Sequence, residues 1–99
     1  MFEKLKAEFP TFDVSTLPAI PGNWVDVSWH NDTCPSFEAI KNDGGAVYVF
    51  VDFPDSADRE FPETKRYSIV SAPHMRDTET LLDTDDWAAV LAKVADIFA

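Results

Sequence analysis

The sequence predicts an α+β domain: a mostly antiparallel four-stranded sheet with a short N-terminal helix and a longer C-terminal helix packed on it. Three observations carry that expectation. Residues Ala46 to Phe53 form a nearly unbroken apolar run, Val47 to Val51 being β-branched or aromatic in succession; such side chains suit a pleated surface. Short, turn-rich connections separate this run from other strand-like stretches, which favours antiparallel neighbours. Near the C-terminus, Trp87, Val90, Leu91, Val94, Ile97 and Phe98 recur at helical spacing.

Taken in order, Phe2, Leu5 and Phe9 fall on one face of a helix over residues 2 to 9, which Pro10 ends. Residues 11 to 23 follow as a connector broken by Pro18, Pro21 and Gly22 and pinned to the core by Phe12, Val14, Leu17 and Ile20. Trp24 to His30 alternates, so a half-buried strand is expected with Val25, Val27 and Trp29 facing inward. The opposite parity leaves Trp24 as a candidate exposed anchor. Asn31, Asp32 and Thr33 make a turn that Cys34 and Pro35 continue.

Ser36 to Lys41 reads as the second strand, with Phe37 and Ala39 inward, and Asn42-Asp43-Gly44-Gly45 supplies the residues of a hairpin into the apolar run. Apolar at odd and even positions alike, that run is expected to be central and covered on both faces, by the proline connector or by a partner chain. Pro54 to Lys65 is a loop. Arg66 to Ala72 is the fourth strand, and Pro73 to Leu82 a polar connection. The last helix takes Asp83 or Thr84 as its N-cap, with Asp85 and Asp86 in its first turn, where carboxylates complement the helix dipole.

Ninety-nine residues, 45% hydrophobic and 13% aromatic, make one domain over residues 1 to 99 with a modest core and argue against disorder. The single cysteine, Cys34, excludes an internal disulfide. The first residues alternate charge with apolar side chains and no run is long enough to span a bilayer, so a cytoplasmic location is expected.

Charge is the strongest global signal: 18 Asp and Glu against 8 Lys and Arg, a net charge of −10. Nucleic acid and anionic membranes would be repelled, whereas a basic protein would be attracted. The carboxylates cluster twice. Asp52, Asp55, Asp58, Glu60 and Glu63 lie within twelve residues relieved only by Arg59, and Asp77, Glu79, Asp83, Asp85 and Asp86 lie within ten without a base between Asp77 and Asp86. Brought side by side, such carboxylates can imitate the phosphates that an Arg- and Lys-lined groove binds.

Catalytic residue types crowd together only at His30, Asp32 and Cys34. A nucleophilic cysteine needs a base in reach and an oriented third group, and a strand end with its turn seldom aims three side chains at one point. No metal site is predicted, since His30, Cys34 and His74 lack paired ligand spacing, and no cofactor motif is present. The expected function is therefore non-enzymatic: an acidic inhibitor or binding protein that occludes a basic, nucleic-acid-binding surface of a partner. Nuclease inhibitors, immunity proteins and phage anti-defence proteins share its size and charge, an analogy and not a kinship. The rival expectation is a small assembly domain, a homodimer included, joined through Trp24, the outer face of the central run and the connector at Pro18 to Pro21.

Overall fold

Burial alternates along the central strand, with Val47, Val49 and Val51 buried and Ala46, Tyr48 and Phe50 half-buried, and this alternation orders the rest of the chain. The structure is a computed structural model that describes residues 2–41, 45–71 and 79–99. Its elements are α1 (Glu3–Glu8), β1 (Val25–Asp26), β2 (Ser36–Ile40), β3 (Ala46–Val51), β4 (Tyr67–Ser71), β5 (Thr80–Thr84) and α2 (Trp87–Ile97). The strands form an antiparallel meander in sequence order, β1-β2-β3-β4-β5.

Register sets the core. Val49 stands between Phe37 on β2 and Ile69 on β4, Val47 faces Ala39, and Val51 faces Tyr67. These inner residues are buried together with Leu5 of α1 and Val90 and Val94 of α2. The hairpin between β2 and β3 forms as expected, closed by the Lys41 amide donating to the Gly45 carbonyl at 2.6 Å; its tip, Asn42, Asp43 and Gly44, lies outside the described residues.

The sheet has five strands where four were expected. Residues 80 to 84 hold two apolar side chains, Leu81 and Leu82, adjacent rather than alternating, so they carry no period-2 signal. They extend because β4 offers a free edge. An irregularity in the ladder pairs Ile69 with Leu82 but Val70 with Thr80, so Leu81 is an extra residue on β5 and both leucines pack against the core. The α2 N-cap consequently moves to Asp86, whose carboxylate accepts the Ala88 amide at 3.0 Å, while Thr84 ends β5 and its hydroxyl accepts the Asp86 amide.

The expected facing of residues 24 to 30 is reversed. Only Val25–Asp26 is strand, Val25 is 46% and Trp29 52% exposed, and Trp24 packs against the core, edge-on to Trp87 at 5.8 Å. A one-residue shift in facing moves every side chain to the other side. The larger indole goes inward here, and Asp26 beside it keeps its carboxylate satisfied by accepting the amides of Leu5 at 2.8 Å and Ser28 at 3.1 Å. Those bonds tie α1 to the sheet edge.

Both helices and the connector share one face of the sheet. Phe12 is buried, and Val14, Leu17 and Ile20 pack on the same core. The connector is fastened at the α2 end, where Trp87 Nε1 donates to the Ala19 carbonyl at 3.2 Å and Arg66 Nη2 to that of Thr16 at 2.8 Å. Among the described residues, the helices and the connector therefore cover one face of the central run, and the other is only partly screened by residues 31–34 and 61–66. Among the described residues no helix is long and apolar enough to cross a membrane.

Asp26→Ala leaves two amides without their acceptor and releases the first helix from the sheet edge. A loss of about 1–3 kcal/mol in unfolding free energy is expected in chemical denaturation, with faster amide exchange at Leu5 than elsewhere in the core.

Candidate partner-binding surface

Residues 54 to 65 leave β3 with two prolines and no ladder partner, so their shape depends on side chains. Asp55 accepts the Ala57 amide at 3.0 Å and starts a single 3-10 turn over Ser56–Asp58. Arg59 then turns inward: Nε donates to the Phe53 carbonyl at 2.8 Å, Nη1 to that of Thr64 at 2.7 Å and Nη2 to that of Pro54 at 3.2 Å. At the loop's end Arg66 behaves alike, donating to the carbonyls of Asp52 and Thr16 and lying 5.2 Å above the Tyr67 ring. Both guanidiniums are occupied by backbone oxygens. Among the described residues, the carboxylates of Asp58, Glu60 and Glu63 accept no hydrogen bond and join no ion pair, and all three residues are exposed.

The start of α2 lies against the end of this loop. Asp85 Oδ1 accepts the Arg66 amide at 2.8 Å and Oδ2 lies 3.7 Å from Lys65 Nζ; the amide bond, then the nearby cations, hold its carboxyl below the usual range. Asp86 caps α2, and Asp83 accepts from the Ser68 hydroxyl. Asp55, Asp58, Glu60, Glu63, Asp83, Asp85 and Asp86 thus share one end of the sheet. The remaining predicted residues lie elsewhere. Asp52 is only 8% exposed, its carboxylate accepting the Phe53 amide at 2.8 Å, and burial pushes its carboxyl up. Glu79 lies at the far end of β5, beside Ser71, and Asp77 falls outside the described residues. Trp24, half-buried and edge-on to Trp87, lies beside α1.

His30, Asp32 and Cys34 do not form a nucleophile and its base. The His30 ring is bonded through Nδ1 to Glu8 at 2.8 Å. Cys34 is buried, and burial, with the nearby Asp52 carboxylate, pushes its thiol up to about 12, so it stays protonated and unreactive. His74 falls outside the described residues, and among those described no group of three or more His, Cys, Asp or Glu is placed to hold a metal ion.

Sequence reasoning did not anticipate two concavities. A cleft of about 480 Å³ opens between the start of α1 and the edge strand, lined by Phe2, Ile20, Trp24, Val25 and Phe37 among others. A second, of about 350 Å³, lies where Phe61 and Lys65 approach Phe50, Ser68 and Val70 on the sheet face away from the helices. The signal for this one was present in the half-buried parity of Tyr48, Phe50 and Val70. No protein-family model, curated protein or solved structure matches the chain.

Arg59→Met removes three carbonyl contacts while keeping most of the aliphatic stem. The loop should become a preferred proteolytic site and stability should fall by about 1–3 kcal/mol, measured by limited digestion and denaturation. Asp52→Asn probes the buried carboxylate. Its folded pKa is raised above the unfolded value, so the folded state holds the proton longer and the parent loses stability as pH rises from the unfolded to the folded pKa. The variant escapes that loss. Its melting temperature should match the parent's below the unfolded pKa and exceed it at neutral pH.

Proposed function

We propose that the protein is a non-enzymatic acidic inhibitor that binds a basic, nucleic-acid-binding surface of another protein and occludes it. The observation that carries this reading is the disposition of Arg59 and Arg66. Placed among five carboxylates of residues 52 to 63, Arg59 would ordinarily neutralise its neighbours; instead both arginines brace the loop through backbone carbonyls. The negative charge of Asp58, Glu60 and Glu63 is left uncompensated on a loop with a defined shape. A braced display loses less conformational freedom on binding than a mobile acidic tail does.

Asp85 and Asp86 extend the same end of the molecule, though each already serves the fold, Asp85 by holding the Arg66 amide and Asp86 by capping α2. The free carboxylates are those suited to meet a partner's guanidinium and ammonium groups. A net charge of −10 adds long-range attraction and faster encounter with such a partner, both weakened by salt.

A variant carrying Asp58→Asn, Glu60→Gln and Glu63→Gln tests the reading, because none of the three supports the fold. Exposed ion pairs contribute about 0.2–1 kcal/mol each, so loss of three should lower affinity by about three- to a hundredfold with the melting temperature almost unchanged. Tagged protein and variant would be exposed in parallel to host lysate and eluted in salt steps. Recovery by the parent alone of a nucleic-acid-binding protein whose nucleic-acid binding it blocks is the expected result; equal recovery by both, or elution indifferent to salt, would overturn it.

A further inference from the structure

On the sheet face turned away from the helices, the described strand residues present partly open apolar side chains and no cation, while Lys65 and Arg66 of the loop before β4 line its cavity. Residues directly opposite in the ladder share a face, so Val25, Glu38, Tyr48, Val70 and Thr80 run across it in one row and Ser36, Phe50, Ser68 and Asp83 in the next, with Ile40 and Ala46 beyond. Val25 and Ile40 are 46% and 45% exposed, and Tyr48, Phe50 and Val70 are half-exposed. Phe61, 52% exposed, approaches from the loop and shares the 350 Å³ cavity with Phe50 and Val70. The charged groups in these rows are Glu38 and Asp83, with no Lys or Arg. Around the apolar centre Glu38, Asp83 and Asp32 outnumber the cations at the cavity, where Arg66 is held by the carbonyls of Asp52 and Thr16 and Lys65 lies 3.7 Å from Asp85.

Resting on the reading that the partner is basic, we propose that this face docks an amphipathic helix of the partner, its apolar stripe on Tyr48, Phe50 and Val70 and its flanking Lys or Arg residues on Glu38 and Asp83. Geometry favours a helix. Strands about 4.8 Å apart make the inner three or four a shelf roughly 15 Å wide, and a helix with its side chains is about 10–12 Å across. The other face of the sheet is covered by α2 in the same way, and a helix here would complete a three-layer arrangement. A second copy of this chain fits poorly. Each copy carries a charge of −10, so two copies repel at long range.

Three synthetic helices of about 18 residues serve as probes of the full chain: a leucine stripe flanked by lysines, the same lysines with serine for leucine, and the leucine stripe flanked by glutamates. Calorimetry and amide chemical shifts report affinity and location. The leucine–lysine helix should bind about tenfold tighter than either control, shift the amides of Glu38, Tyr48, Phe50 and Val70, and lose about tenfold in Phe50→Ser. Val70→Thr, closer in shape, replaces that variant if Phe50→Ser unfolds.

Equal binding by the serine–lysine helix, with shifts confined to residues 55–63 and 83–86, overturns the docking face and leaves the acidic-loop reading standing. Equal binding by the leucine–glutamate helix overturns the charge argument on which both rest. No binding by any probe overturns the docking face, as does self-association in sedimentation with shifts on this face that track the protein's own concentration.

Discussion

One constraint governs the described residues: the α-helices and the connector outside the five-stranded sheet gather as a cover on one face of it. A six-residue helix, an eleven-residue helix and the proline-rich connector make up that cover, and all three lie over Val47, Val49 and Val51. Small domains bury a smaller share of their surface than large ones, and here the shortfall is collected on one side. The meander imposes this. Successive strands pair antiparallel with their neighbours, so among the described residues the two α-helices lie at the two ends of the chain's run of strands.

Within that frame, charge and fold are handled by different side chains. Arg59, Arg66, Asp26, Asp55, Asp85 and Asp86 make the bonds that shape loops, caps and edges. Asp58, Glu60 and Glu63 make none. The buried carboxylate of Asp52 costs stability, since burial disfavours its charge more than the Phe53 amide and the nearby Arg59 and Arg66 favour it. Such a separation explains how a domain with a formal charge of −10 keeps a core: the repulsive groups face solvent on a loop rather than crowding the sheet.

Most of the fold was legible because its strongest elements obey a period. The helix over 87–97 and the β2–β3 hairpin each carry enough apolar side chains in phase for one layer to be inferred. β5 was not legible, because Leu81 and Leu82 are adjacent and reach the core together only through an irregularity that the β4 ladder imposes. The facing of residues 24 to 30 was misread because alternation fixes two faces without saying which is inner; the edge-on packing of Trp24 against Trp87, far apart in the chain, decides it. For the surface, clustering along the chain identified the carboxylates of residues 55–63 and 83–86, and Asp85 ties the second group to the end of the loop that carries the first. It could not separate Asp52, whose burial depends on what packs over it, or Glu79, which the length of β5 carries to the opposite end.

Bracing the 54–65 loop through carbonyl oxygens has an evolutionary corollary. A carbonyl is present whatever residue bears it, so Phe53, Pro54 and Thr64 can each supply the acceptor for Arg59 through a backbone that substitutions leave in place. Positions 58, 60 and 63 are then free to vary in charge, length and shape while the loop keeps its path. Single substitutions there can alter the chemistry that the loop shows to solvent without passing through unfolded intermediates.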